Sequence, residues 1–268
     1  MIFIAGRCTF PIPCFQKSMA NFEPLKKSIL FCLQQLIARH DLRPDFLDIG
    51  CGIGDVSAFL AAQGWTGTAI DISDQAVMRA RLNLERFPGV RLRQEDLFTA
   101  IGMYGTVLMI DILEHLPDDR AALQKLASLV RTGGHAVIVV PSNPGKWGWD
   151  DDFYGHIRRY AKEDLEAKLR NSGLKLIEAW DFTFPVFTIM RGIHARLAKP
   201  PAKGPGENAM LERTLRSGMA PEWQRSSWVD WLGRACFFWN WVYRMQFTFF
   251  RHRVRWGHEI IVLAQNGA

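Results

Sequence analysis

Short β-like runs alternate with helix-like runs between Phe46 and about Val140, and this alternation restricts the chain to few folds. The β-like runs are FLDIG (46–50), TGTAID (66–71), VRLRQ (90–94), TVLMID (106–111) and HAVIVV (135–140). The helix-like runs between them include SAFLAAQ, a stretch from about Asp74 to Arg86, and AALQKLASLVRTGG with its glycine stop. Because strands that alternate with helices form a parallel sheet covered on both faces, the pattern predicts an α/β fold.

Two more strands are predicted further along the chain, with a long excursion between them. KEDLEAKLRNSGLKLIEAWDF predicts a helix, a terminator at Gly173 and a sixth strand, and HEIIVLAQ (258–265) predicts the last strand. About 75 residues separate these two strands, where a hairpin needs only a few. We therefore expect four parts: an N-terminal helical cap (1–40), a core (41–182), a helical insertion (183–256) and the last core strand (257–268).

The charge and the cysteines narrow the class of protein. The net charge is +6, and residues 182–256 hold 12 Lys and Arg against 4 Asp and Glu, so the basic character belongs to the excursion. Five cysteines with no CxxC pair argue against a disulfide framework or a zinc site. No signal peptide and no membrane-spanning helix is expected, which favours a cytoplasmic protein, with the inner face of the membrane as a further location.

The run D48-I-G50-C51-G52-I-G54-D55 closes the first predicted strand. Glycines there let the backbone turn sharply and let a ligand approach main-chain atoms at the start of the next helix. A dinucleotide fingerprint needs glycine at position 55, and Asp55 would repel a pyrophosphate. A ligand without phosphates fits this loop better.

Two carboxylates follow the next strands. Asp71 closes the second strand, where a carboxylate can accept hydrogen bonds from both hydroxyls of a ribose. Asp96 follows the third strand, where it could accept from an exocyclic amine. Either alone reads best as a turn or capping residue, but the glycine loop beside them favours a nucleoside site.

Four runs follow one another in a characteristic order and spacing: FLDIGCGIGD, AID, QEDL and VLMIDILEHLPDD. They resemble the corresponding runs of class I S-adenosylmethionine (SAM)-dependent methyltransferases of the type 11/12 kind. The resemblance implies a Rossmann-like sheet of seven strands with an antiparallel last strand. It implies SAM as cofactor and S-adenosylhomocysteine as product. By position, it assigns cofactor binding to Asp48, Gly50, Cys51, Gly52, Gly54, Asp71, Ile72, Asp96, Leu97, Ile110 and Asp111.

His115 is the first candidate for a general base, since an oxygen or nitrogen acceptor can need one. It lies in D111-I-L-E114-H115, which resembles the acidic-x-x-Glu-His run of ubiquinone-biosynthesis O-methyltransferases, where the run contributes to a metal-dependent site. The first acid here is Asp111 instead of glutamate, and we expect no metal. The alternative is that His115 packs at the mouth of the SAM site.

His156 is the second candidate base. It lies in D150-D-D-F-Y154-G-H156-I-R-R159-Y160, after the fifth strand, and ligands of such sheets bind at the carboxyl ends of strands. The G-H-x-R-R-Y run resembles a subset of bacterial class I methyltransferases. We expect Tyr154 and Arg159 to contact the substrate; the alternative is a structural loop in which Arg159 pairs with Asp151 or Asp152.

Residues 223–256 hold 12 of the 32 aromatic residues and six arginines against a single acid, Asp230. A helical projection places Asn240, Arg244, Thr248 and Arg251 on a polar arc, with Phe238, Trp239, Val242, Met245 and Phe249 opposite. Such a helix suits a lid, with Trp239 facing the acceptor, or a peripheral contact with a membrane surface. It equally suits packing on the sheet or a homodimer interface.

The function predicted is O-methylation of a hydrophobic small molecule: a quinone, a phenol, a polyketide or a lipid-linked compound. One alternative is a non-catalytic SAM-binding protein with a regulatory or scaffold role at a membrane. Nucleic-acid methylation is the third choice. It is disfavoured because no N-P-P-Y-like run follows the fourth strand and because 223–256 contains no lysine.

Overall fold

The computed structural model of the protein describes residues 24–197 and 236–267. Its seven strands are β1 (Asp45–Ile49), β2 (Thr66–Asp71), β3 (Val90–Gln94), β4 (Tyr104–Ile110), β5 (Val130–Pro141), β6 (Leu174–Asp181) and β7 (Glu259–Asn266). They form one sheet in the order β3-β2-β1-β4-β5-β7-β6. β7 pairs antiparallel with both neighbours, and the other pairs are parallel. The predicted seven-stranded sheet with an antiparallel last strand is confirmed.

Helices connect the strands and cover the sheet. They are α1 (Pro24–Arg39), α2 (Asp55–Ala61), α3 (Asp74–Leu84), α4 (Asp119–Leu129), α5 (Trp149–Tyr154), α6 (Lys162–Asn171), α7 (Val186–Leu197) and α8 (Cys236–Phe250). Short 3-10 turns add Leu113–His115 and Pro144–Lys146. α1 lies in the predicted cap, and α7 and α8 lie in the predicted insertion. The connector expected at 198–209, the N-terminal residues 1–23 and the helical start expected at 223–235 lie outside the described residues.

Alternate residues of the central strands face two separate cores. One core, on the face that carries α1, α2 and α8, takes Phe46, Leu108, Val137, Val139, Ile261 and Leu263. The other, on the face that carries α4 and α6, takes Leu47, Ile49, Val107, Met109, Ile138 and Val262. Both faces of the sheet are therefore buried, as the strand–helix alternation predicts.

The fifth strand is longer than the sequence indicates. The run RTGG was expected to stop the preceding helix, but α4 ends at Leu129 and β5 already begins at Val130, which pairs with Tyr104. Gly133 has a positive φ of 71°, and the register shifts between Tyr104 and Thr106. The glycine thus accommodates an irregularity inside a strand instead of ending a helix.

The α8 helix packs into the core against α1. Phe247 contacts Trp180 edge to face, with 4.9 Å between the ring centroids, and lies 5.7 Å from the ring of Phe31. Trp239 stacks on Phe187. Part of the excursion is therefore integral to the fold.

The exposed face of α8 corrects the helical projection. Phe238 and Phe249, expected on the same apolar side as Trp239 and Val242, are exposed together with Phe237 and Trp241. Gln246 is buried instead, because its side-chain amide donates to the Phe182 carbonyl and its oxygen accepts from the Val186 amide. The packing of α8 on α1 therefore leaves aromatic rings in the solvent. None of the described helices is long and apolar enough to cross a membrane.

We predict that Phe247→Ala lowers the free energy of unfolding by about 3–5 kcal/mol, since it empties a site lined by Trp180 and Phe31. The matched control is Phe249→Ala, whose parent ring is 69 % exposed and whose effect should stay within about 0.5 kcal/mol. Denaturant unfolding of both variants measures the difference. Equal effects would show that α8 does not contribute to the core.

Candidate functional site

Polar residues gather at one edge of the sheet. The parallel strands β1, β2, β4, β5 and β6 all end there, and β7, which is antiparallel, begins there because Glu259 pairs with Pro141. In sheets of this kind ligands bind outside the carboxyl ends of the strands. This edge therefore brings the glycine loop after β1 to the same side of the sheet as Glu259 at the start of β7.

The glycine loop has the backbone that its sequence demands. Gly50, Gly52 and Gly54 have φ values of 69°, 55° and 82°, which favour glycine. A Cβ at Gly50 would also collide with Ile112, whose Cδ1 would lie at 2.2 Å. Cys51, between them, is buried, and burial raises the pKa of its thiol. Position 50 therefore has no room for a side chain, because Ile112 packs against it.

Asp48 and Asp55 border this loop. Asp48 is buried at the end of β1 and accepts a 2.6 Å hydrogen bond from the Ser57 hydroxyl. Burial raises the pKa of Asp48 to about 6, against the opposing effect of that hydrogen bond. Asp55 pairs with Lys26 of α1 at 2.6 Å, so the cap is tied to the start of α2.

Asp71 holds the glycine loop against β2. Its two oxygens accept from the backbone amides of Gly52, at 2.8 Å, and Ser73, at 2.9 Å. Burial raises the pKa of Asp71. Each oxygen retains a lone pair for a ribose hydroxyl.

The remaining predicted nucleoside contacts lie beside Asp71. Ile72 is 49 % exposed, although isoleucine is usually buried, and offers an apolar surface next to that carboxylate. Asp96 is exposed and accepts from the Phe98 amide through one oxygen, while Leu97 is buried. This arrangement suits a purine ring that lies on Ile72 with its amine near Asp96; these roles stay predictions.

The end of β4 has an unusual backbone. Ile110 is the last residue of the strand, and Asp111 follows it with a φ of 53°, in the left-handed region. Asp111 is solvent-exposed, and its amide donates to the Val139 carbonyl of the neighbouring strand. Such conformations concentrate at functional sites, and this one turns the chain directly into the 3-10 turn that carries Glu114 and His115.

His115 and His156 both face the buried carboxyl group of Glu114. His115 Nδ1 lies 3.2 Å from the Gly155 carbonyl, and His156 Nδ1 lies 2.9 Å from an oxygen of Asp151. Both partners can only accept, so in each neutral ring the proton sits on Nδ1 and Nε2 keeps its lone pair. The two Nε2 atoms lie 3.9 Å and 3.8 Å from Oε1 of Glu114.

Glu114 is fully buried, and within the described part of the chain neither of its oxygens has a hydrogen-bond partner. Burial, and next the charge of Asp111, raise its pKa well above the usual range. The pKa of Glu259 is raised for the same two causes in the same order. Burial and then the charge of His156 lower the pKa of His115 to about 4, so this ring is neutral at pH 7.

Glu114, His115 and His156 could hold a metal ion. One ligand atom from each lies within 4.8 Å of the others, and two imidazoles with a carboxylate suit a divalent transition metal. The sequence leads us to expect no metal, and that expectation stays a prediction.

Three predicted substrate-binding residues have different surroundings. Tyr154 is half-buried, with its ring 6.1 Å from that of His156. Arg159 is buried: its Nε and one terminal nitrogen pair with Asp151 at 2.8 Å, and the other donates to the Ser142 and His258 carbonyls. These contacts use its hydrogen-bonding capacity within the protein, so they support the structural alternative and not a substrate role. Trp239 is buried among core aromatics, a setting that gives it a packing role.

Four residues at the site are not among those that the sequence predicts there: Glu114, Asp151, Arg191 and Glu259. Asp151 is at the centre of the loop, because both His156 and Arg159 donate to it. The D150-D-D run, four to six residues before His156, is a usable signal in the sequence. Glu259 had none, since it reaches the edge only through the pairing of β7 with β5.

The comparisons with known proteins agree with this geometry. The family model described as "Methyltransferase domain" matches residues 20–179. The ubiquinone biosynthesis O-methyltransferase of Cronobacter sakazakii is 38% identical over 96 residues, which cover 33% of this chain and 39% of that protein. Matches of this kind span about two fifths of the length of those curated relatives.

Two solved structures share the fold. A putative sarcosine dimethylglycine methyltransferase from Galdieria sulphuraria aligns with a TM-score of 0.56 at 13% identity, covering 90% of this chain and 86% of that one. Magnesium protoporphyrin IX methyltransferase from Synechocystis PCC 6803, with bound S-adenosylhomocysteine, aligns with a TM-score of 0.51 at 20% identity over 62% and 83%. The chain therefore belongs to the methyltransferase domain family, and SAM is its cofactor.

The residues at the sheet edge fit SAM. The three glycines give the loop the left-handed backbone that lets a ligand approach main-chain atoms. Asp71 has acceptors for a ribose, and the absence of phosphate in SAM suits the acidic residues Asp48 and Asp55 beside the helix start.

We predict that Asp71→Asn raises the Kd of S-adenosylhomocysteine at least about tenfold, or about 1.4 kcal/mol, because an amide offers one acceptor oxygen instead of two. Asp74→Asn, in the first turn of α3, is the matched control and should leave the Kd unchanged. Isothermal titration calorimetry measures both. An unchanged Kd in Asp71→Asn would show that Asp71 does not bind the ribose.

Proposed function

We propose that this protein transfers the methyl group of SAM to an oxygen atom of a hydrophobic small molecule, with His156 as the general base. The observation that carries the proposal is the orientation of His156. Its Nδ1 donates to buried Asp151, so its Nε2 keeps the lone pair, 3.8 Å from Oε1 of Glu114 at the carboxyl edge of the sheet. The Ile157 amide donates to the Glu114 carbonyl at 3.0 Å, which docks this loop on the turn after β4.

Bound SAM supplies a methyl group on a positively charged sulfur, which is already electrophilic. The protein must align the acceptor oxygen with that methyl carbon and exclude water. As the oxygen–carbon bond forms and the sulfur–carbon bond breaks, His156 Nε2 takes the hydroxyl proton, giving a methyl ether and S-adenosylhomocysteine. Asp151 stabilises the imidazolium, which returns the proton to solvent.

His156 is a better base than His115. The pKa of His115 is lowered to about 4 by burial and by its histidine neighbour, so this ring binds a proton weakly near neutral pH. His115 therefore has a packing role beside His156, with its ring held by the Gly155 carbonyl. The curated relatives named ubiquinone biosynthesis O-methyltransferases support an oxygen acceptor on a hydrophobic molecule such as a quinone, a phenol, a polyketide or a lipid-linked compound.

A divalent ion is the alternative use of the histidine pair. Glu114, His115 and His156 would hold it, and it would stabilise the negative charge of an ionised acceptor oxygen. The unpartnered carboxyl of Glu114 favours this alternative, whereas the Asp111 that replaces the family's first glutamate disfavours it.

We predict that His156→Ala lowers the rate of methyl transfer by about a hundredfold or more, since it removes the proton acceptor, while the Kd of S-adenosylhomocysteine stays unchanged. The control is His252→Ala, a change to an exposed histidine just after α8. The assay follows labelled methyl groups from SAM into the organic phase of a cell extract by mass spectrometry. We expect the wild-type activity to survive treatment with a chelator.

Other outcomes select the alternatives. Loss of activity on chelation with recovery on adding a divalent ion would assign the histidine pair to a metal. If the label enters no extract, the protein is a SAM-binding regulatory or scaffold protein. Label in RNA or DNA would establish nucleic-acid methylation.

We further propose that α8 contacts the surface of an anionic membrane, where a hydrophobic acceptor would dissolve. Phe237 is 94 % exposed and Trp241 60 % exposed, and Arg244 lies beside them on the same arc of the helix. Residues 236–256 contain four arginines and no acidic residue. Exposed aromatic rings with arginine suit the interface of a bilayer, and the same face could instead join two copies in a homodimer.

We predict that the protein sediments with phosphatidylglycerol-containing vesicles more strongly than with phosphatidylcholine vesicles. Arg244→Glu and Trp241→Ser should each weaken this binding about fivefold or more, since one basic residue near such a surface contributes about 1 kcal/mol. Leu82→Ser is the matched control, because Leu82 is an exposed apolar residue on α3. Dimers in solution that Trp241→Ser dissociates, without vesicle binding, would make this face a subunit interface.

A further inference from the structure

Asp151 is the point at which the charged groups around His156 converge. Its carboxylate accepts from His156 Nδ1 at 2.9 Å, from Arg159 at 2.8 Å and from the Gly148 amide at 2.7 Å. It also pairs with Arg191 at 3.1 Å. A buried carboxylate is stable only when it is paired and hydrogen-bonded, and Asp151 meets both conditions.

The partners of Asp151 keep it ionised. The guanidinium groups of Arg159 and Arg191 and the Gly148 amide all contact this buried carboxylate, and they stabilise its charged form. An ionised carboxylate can only accept, so it selects the tautomer of His156 that carries its proton on Nδ1. That tautomer alone leaves Nε2 free.

Arg191 connects the excursion to this pair. It lies on α7, inside the insertion, and its guanidinium binds Asp150 through two nitrogens at 2.5 Å and 2.7 Å while it also contacts Asp151. It further donates to the Lys146 carbonyl at 2.9 Å. Bidentate arginine–carboxylate pairs fix geometry as well as charge, so the position of α7 is coupled to the position of α5.

We propose that Asp151 is the positioning residue for His156, and that Arg191 makes helix α7 of the excursion part of the catalytic unit by holding α5 in place. This inference rests on the proposed function, and it assigns a role to two residues outside the cofactor site. The excursion then contributes to the site through α7, whose Arg191 holds Asp150 and Asp151 of α5 and so helps to fix the ring of His156.

The first test needs no substrate. In protein labelled with ¹⁵N-histidine, long-range proton–nitrogen correlation spectra show which ring nitrogen carries the proton, and His156→Ala identifies the signals of His156. We expect the Nδ1-protonated tautomer in the wild type and a substantial Nε2-protonated fraction in Asp151→Asn, because an amide can present either its oxygen or its NH₂ group. Asp152→Asn, a change to the exposed neighbour of Asp151, should leave the spectrum unchanged.

The second test is catalytic. Asp151→Asn should lower kcat by about a hundredfold or more, as expected when a base has the wrong tautomer, with the Kd of S-adenosylhomocysteine unchanged. Arg191→Met should lower kcat about tenfold, with Arg191→Lys recovering little because lysine cannot bind in a bidentate manner. Asp152→Asn should retain the wild-type kcat.

The outcomes separate the positioning role from the proposed function. If His156→Ala abolishes turnover but Asp151→Asn does not, the base stands and the positioning role is overturned. If neither variant changes turnover, the proposal that His156 is the general base is wrong. Should Asp151→Asn fail to fold, the wild-type spectrum still decides, because an Nε2-protonated His156 would contradict the inference. A wild-type kcat in Arg191→Met would show that α7 does not contribute to catalysis.

Discussion

The guanidinium of Arg159 joins three parts of the chain that are far apart in sequence. It pairs with Asp151 of α5, and it donates to the carbonyl of Ser142, just after β5, and to that of His258, just before β7. A charge buried this deeply would destabilise the fold unless its hydrogen bonds were satisfied. Because they are, the loop from 142 to 160 closes over the sheet edge in one defined conformation, and the orientation of His156 follows from it.

The same edge concentrates acidic groups that a protein core ordinarily avoids. Glu114 and Glu259 are drawn together by the pairing of β7 with β5, and burial raises the pKa of both. Perturbed carboxyl groups of this kind gather at functional sites. Here Glu114 lies 3.9 Å and 3.8 Å from the Nε2 atoms of His115 and His156, which keep their lone pairs, so the edge can accept a proton or bind a cation. The fold thus builds a chemically active region from strands that by themselves are ordinary.

The sequence was sufficient for the individual strands and for the glycine loop because both depend on local patterns, whereas the antiparallel last strand was an implication of the family resemblance. Strand–helix alternation sets the order of the elements, and the positive φ angles at Gly50, Gly52 and Gly54 require glycine where the sequence has it. The exposed face of α8 could not be predicted, since a helical projection does not say which arc meets α1. Likewise, the proximity of Glu259 to Glu114 depends on strand pairing across about 145 residues, for which a single sequence carries no signal. The pairing of Arg159 with Asp151 had been one of two alternatives, and the geometry supports it.

The position of β7 has a consequence for how the molecule forms. β7 lies between β5 and β6, yet it follows both in the sequence, with the whole excursion in between. During synthesis, strands β1 to β4 can pair early, whereas β5 keeps one unpaired edge and β6 has no partner strand until β7 has been made. Long-range pairings of this kind form slowly and leave strand edges exposed meanwhile. The strand that carries Glu259 into the site is therefore also the one whose late insertion completes the sheet.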